Sequence, residues 1–189
     1  MNAFSSRFAK WLGFAALAMT AAAAHANLVT NGGFETGDLS GWSQFGNTGF
    51  TGAAGSPYNH TGSFGAAFGP VGSTGGVSQS LATVAGATYT VNFWLYNDGG
   101  TPNIFSWAWD GTTQAAPNLV NAAGFGYTEY TFNVTASGAS TDLAFTFQQN
   151  PAYYGLDDVS VTQVPEPGTI LLFGAALVAA GAARRRKPA

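Results

Sequence analysis

The sequence predicts an all-β domain, a sandwich of two sheets, set between two apolar end segments. Three observations carry that reading. The middle of the chain is a series of short runs rich in β-branched and aromatic residues, separated by Gly, Asn, Asp and Ser turn signals. Within those runs apolar and polar residues alternate, the period of a half-buried strand. All six basic residues lie at the ends, Arg7 and Lys10 before the middle and Arg184, Arg185, Arg186 and Lys187 after it.

Residues 27–163 therefore hold eight acids and no Lys or Arg, a formal charge of −8. A surface without cations repels phosphate backbones, which argues against nucleic acid as a partner. It suits a hard cation such as Ca²⁺. The chain has no Cys, so disulfides and thiolate metal sites are excluded.

Residues 1–26 read as a signal peptide. Arg7 and Lys10 give the positive region, Trp11 to Ala24 the apolar one, and Ala24-His25-Ala26 an A-x-A cleavage site. His60 is then the one histidine left after processing.

In the middle, Val91, Phe93 and Leu95 share one face of a strand, and Asn92, Trp94 and Tyr96 the other. Phe105, Trp107 and Trp109 share a face before an Asp110-Gly111 turn. Tyr130, Phe132 and Val134 form a third set, and Leu143, Phe145 and Phe147 a fourth. Val159 and Val161 form a fifth, with Asp157 in the same phase and Asp157 and Asp158 on opposite faces. Thr48–Pro57 and Thr61–Pro70 are similar in sequence. The first reads as a Gly-rich loop, and Ser63–Phe68 within the second as a strand. Eight to ten strands are expected, with Trp42 in the core.

The end "VPEPGTILLFGAALVAAGAARRRKPA" begins at Val164. Residues 168–183 carry no charge, and a helix over them would span about 24 Å, a marginal length for a bilayer. The basic cluster that follows would stay cytoplasmic, leaving the acidic middle outside. Pro165, Glu166 and Pro167, a short transmembrane helix and Arg184, Arg185 and Arg186 together resemble the PEP-CTERM sorting signal of Gram-negative bacteria. The resemblance implies export through the inner membrane, transient anchoring, and cutting by an exosortase near the motif. It further implies delivery to the cell surface or to an exopolysaccharide or biofilm matrix.

"NLVTNGGFETGDLSGW" at Asn27–Trp42, Gln79–Trp94 and "YYGLDDVSV" at Tyr153–Val161 resemble jelly-roll carbohydrate-binding modules of the galactose-binding-like fold, the first and last stretches as terminal strands. The resemblance implies a structural calcium on Glu35 with Asp157 or Asp158. The expected function is binding or organising extracellular polysaccharide, without catalysis. Trp94, Tyr96, Trp107 and Trp109 are the candidate platform, since sugars stack their C–H faces on rings; Asn92, Gln148 and Gln149 are candidate polar partners. A structural or adhesive surface protein without a glycan ligand is the alternative. An exposed aromatic row on one sheet would favour sugar binding, and a polar face the structural alternative. An enzyme is less expected, because no G-x-S-x-G context or ready carboxylate pair is present.

Overall fold

The computed structural model describes residues 26–165 and Gly174. The cleavage residue Ala24, Glu166, Pro167, the basic cluster 184–187, and nearly all of the expected signal peptide and transmembrane helix lie outside the described residues; Pro165 is exposed. Among the described residues no helix is long and apolar enough to cross a membrane.

Among the described residues eleven strands form two antiparallel sheets. Sheet A holds β1 (Ser43–Gly46), β4 (Gly75–Ala82), β10 (Ser140–Gln149), β6 (Asn103–Trp109) and β7 (Thr112–Thr113) in that order, with β8 (Leu119–Val120) also paired to β6. Sheet B holds β2 (Thr51–Ala54), β3 (Gly65–Phe68), β11 (Tyr154–Gln163), β5 (Thr88–Asn97) and β9 (Phe125–Thr135).

The alternation read from the sequence decides what lies between the sheets. Val91, Phe93 and Leu95 of β5, Phe105, Trp107 and Trp109 of β6, and Leu143, Phe145 and Phe147 of β10 are all buried. Phe68 stacks on Phe147 across the two sheets, with ring centroids 3.9 Å apart and planes 7° from parallel. Phe93 meets Phe145 edge-on at 5.1 Å. Each such side chain taken from water contributes roughly 2–3 kcal/mol. The buried core runs from Val29 to Val161, inside one compact unit, His25–Val164.

Three local expectations are corrected. Asn27–Trp42 is not a strand but a series of turns that runs along one edge of β11. β3 occupies that edge at Tyr154–Leu156, and the terminal stretch takes what is left, with Leu28 N–H on Val161 O and Val159 N–H on Gly32 O. Its apolar residues still reach the core, where Trp42 stacks on Phe34 at 5.8 Å. Thr48–Pro57 is not all loop: β2 within it pairs with β3, so the two similar segments form adjacent strands, Ala53 opposite Ala66. Asp157 is not in phase with Val159. A bulge between Asp157 and Ser160, with Asp158 at φ 49°, turns Asp157 to the outer face beside Trp94.

Candidate functional site

Because Val91, Phe93 and Leu95 fill the inner face of β5, Asn92, Trp94 and Tyr96 stand on the outer face of sheet B. There Trp94 is flanked by Glu129 of β9 and Asp157 of β11. A bulge in β9 near Leu95 and Asn97 sets Tyr127 on the same face. Tyr127 reaches across β5 to β11 and lies over Gly155, where a Cβ would sit 2.7 Å from its hydroxyl. That hydroxyl donates to the carbonyl of Tyr58, and burial pushes its pKa upward.

Tyr58 opens a loop that folds over this face. The ring of His60 lies on the indole of Trp94, with centroids 3.7 Å apart and planes inclined by 13°. His60 Nδ1 is 2.7 Å from Asp158 Oδ2. A carboxylate only accepts, so Nδ1 carries a proton and donates to Asp158. Asp157 Oδ2 accepts the backbone N–H groups of His60 (2.7 Å) and Thr61 (3.1 Å), and Asp158 Oδ1 accepts the Thr61 hydroxyl (2.8 Å). The bulge thus aims both carboxylates at one loop, where an unbroken strand would have sent them to opposite faces. Asp157 is fully buried, and burial raises its pKa to about 6 despite three backbone N–H donors that pull it down.

Glu35 holds the far end of the same loop. Its carboxylate accepts N–H from Ser63 and Phe64 at 3.0 Å. Gly62, at φ 61°, has no room for a side chain, since a Cβ would run into that carboxylate.

A second cluster centres on Asp98, in the loop after β5. Its carboxylate accepts the hydroxyls of Tyr96 (2.7 Å) and Tyr58 (2.8 Å) and the N–H of Tyr153 (3.2 Å). The Asp98 hydrogen bond raises the Tyr96 pKa. The Tyr58 ring meets Tyr153 at 5.4 Å and Tyr96 at 6.0 Å. A buried amide network beneath fixes the loop: Gln149 Nε2 donates to Asn97 Oδ1 and Gly99 O, and Tyr154 donates to Asn103. Five partly exposed rings therefore gather at one end of the face. The other end is polar, with Asn92 bonded to Glu129 and Thr131, and Thr90 bonded to Asn133.

Of the expected platform, Trp94 and Tyr96 share this face. Trp107 and Trp109 do not. They point inward from β6 in sheet A, 1% and 4% exposed, because alternation that put Phe105 in the core put them there too. Gln148 and Gln149 also belong to sheet A, the latter as a buried structural amide. Tyr58, His60, Asp98, Tyr127 and Tyr153 were missed. The available signal was two ring-bearing residues, Tyr58 and His60, in an otherwise small-residue loop.

Glu35, Asp157 and Asp158 offer hard oxygens on three carboxylates around one loop, the chemistry calcium takes. As placed, Glu35 and Asp157 turn their oxygens toward backbone N–H donors of that loop. Among the described residues no three acidic, His or Cys groups are arranged to hold a metal ion.

Residues 163–187 match the PEP-CTERM protein-sorting motif. No curated protein matches the chain significantly in sequence. The sandwich is similar to solved structures. One is the TmCBM61 module in complex with β-1,4-galactotriose (TM-score 0.56, 18% identity, 74% of this chain and 99% of that one). A second is the CBM22-1 xylan-binding domain of Paenibacillus barcinonensis Xyn10C (TM-score 0.54, 18% identity, 75% and 97%). A third is the K3 adhesin domain of Lys-gingipain from Porphyromonas gingivalis (TM-score 0.51, 17% identity, 72% and 99%). The chain thus carries the PEP-CTERM sorting motif of an exported protein, anchored in the membrane before exosortase processing, and a jelly-roll sandwich of the kind found in carbohydrate-binding modules.

Proposed function

We propose that this exported protein binds a polysaccharide on the outer face of sheet B, and that at the cell surface it serves to hold or organise extracellular polysaccharide. The observation that carries this reading is the cluster of Trp94, Tyr96 and Tyr127 on the solvent-facing side of sheet B with Tyr58 and Tyr153 from adjoining loops. The core is already filled from the inner faces, so packing between the sheets does not call for these rings. Tyrosine and tryptophan at a surface give apolar area for a sugar's C–H face together with polar edges for its hydroxyls. The fold neighbours that carry galactotriose or bind xylan support the same reading.

The proposed role is that of a binding module. Asp98 is committed to two tyrosine hydroxyls, and His60 has its orienting carboxylate but, among the described residues, no hydroxyl bonded to Nε2. The resemblance to an adhesin domain keeps adhesion without a defined glycan as the second reading, and the polar half of the face accords with it. Calcium is proposed as an alternative partner of Glu35, Asp157 and Asp158, for which the loop N–H groups would have to turn away.

The test is binding of the domain 27–163 to polysaccharides by affinity electrophoresis and calorimetry. Saturable binding that Tyr96→Ala and Tyr153→Ala abolish, with melting preserved, supports the reading. Absence of binding across neutral and acidic glycans, in a folded domain, overturns it in favour of adhesion.

A further inference from the structure

Any glycan laid on the Trp94–Tyr96 face meets a domain, residues 27–163, without Lys or Arg. The one imidazole on the face, His60, is already committed through Nδ1 to Asp158. What the face does present is negative. Asp98 is exposed at the tyrosine end, and Glu129 is exposed beside Trp94. Asp98 Oδ1 accepts the Tyr96 hydroxyl and keeps a second lone pair, while Oδ2 accepts the Tyr58 hydroxyl and the Tyr153 N–H; Glu129 Oε1 accepts Asn92 Nδ2 at 2.7 Å. These groups accept hydrogen bonds from hydroxyls and offer nothing to a uronate, sulfate or phosphate.

We infer that the site takes neutral polysaccharide chains and rejects polyanionic ones, with Asp98 and Glu129 as the residues that set this selectivity. The inference rests on the carbohydrate-binding reading of the same face. Its physical basis is like-charge repulsion without compensation. Two carboxylates about 5 Å apart in water weaken binding about fourfold, and two facing pairs by more than tenfold. Rejection works by introducing an unpaired contact against the wrong ligand rather than by adding one to the right ligand.

The experiment compares matched backbones. The domain 27–163 is titrated with β-1,4-galactan and xylan and with the carboxymethylated form of each, and with methyl-esterified against free polygalacturonate, in chelator and in calcium. The expected result is at least tenfold tighter binding of the neutral member of each pair at about 20 mM salt. The gap should close to within about threefold at about 0.5 M salt, where screening is only a few Å. Asp98→Asn and Glu129→Gln should each lower the neutral-to-anionic ratio. Glu129→Gln, at an exposed strand position, keeps that arm informative if Asp98→Asn loosens the tyrosine cluster. Equal or tighter binding of the anionic members, with or without calcium, overturns the inference and leaves the carbohydrate reading standing. Binding to neither member of any pair overturns both.

Discussion

The imidazole of His60 and the indole of Trp94 lie face to face, 3.7 Å between centroids, although they come from a loop and from the middle of a strand. The contact ties the loop onto sheet B, and the Asp158 carboxylate fixes the imidazole from the other side. One face of Trp94 is therefore covered by the protein itself, so a glycan would meet the composite surface of His60, Trp94 and the neighbouring tyrosines.

His60→Ala removes both the stack and the charge-assisted bond. We expect a loss of roughly 1–3 kcal/mol in unfolding free energy, read by denaturant titration. Trp94→Ala should cost a similar amount and weaken glycan binding. Trp107→Ala, by contrast, empties a core position and should cost roughly 3–5 kcal/mol. Equal losses at positions 94 and 107 would return Trp94 to the core.

The pH dependence follows from Asp157. The unfolded chain loses this proton near the ordinary aspartate value of 3.8, whereas burial holds it in the folded domain to about 6. Between those values the folded state binds more protons, so this group makes stability fall as pH rises, and its effect levels off above about 6. In chelator the domain should melt higher near pH 5 than near pH 7.5, and Asp157→Asn should flatten that difference. An unchanged pH slope in Asp157→Asn would place the titration elsewhere.

Glu35→Ala leaves the Ser63 and Phe64 N–H groups without their acceptor. A drop of roughly 1–2 kcal/mol is expected even in chelator. If calcium also binds, adding it should raise the wild-type melting temperature and leave Glu35→Ala unmoved; no wild-type shift removes the calcium proposal. Gly62→Ala should fail more severely, since it pairs a left-handed backbone with a clash against Glu35.

Replacing Arg184–Lys187 by neutral residues tests the sorting reading in the host. Precursor should accumulate in the membrane fraction on immunoblots, with less mature protein outside. Normal processing would remove the basic cluster from the signal.

Much of the fold was legible in the sequence because strand alternation is a local property. Val91, Phe93 and Leu95, or Leu143, Phe145 and Phe147, have only two faces to choose between, and burial of apolar area chooses for them. The sorting motif was equally local. The same period-two rule also placed Trp107 and Trp109 beside Phe105, but the rule does not say which face of a strand meets the opposite sheet; tertiary structure made theirs the core. Two features escaped any local reading. The bulge at Asp158 shifts the phase of β11 by one residue, bringing Asp157 beside Trp94 and both carboxylates onto the loop from Tyr58 to Gly62. Asp98 finds Tyr58 from 40 residues away, and His60 finds Asp158 across 98. Such partners are chosen by sheet order and by a left-handed backbone that only long-range hydrogen bonds hold in place. The sequence alone therefore determined most of the strands, the sorting motif and the absence of Lys and Arg from residues 27–163, and the packing of the chain decided which rings and carboxylates meet.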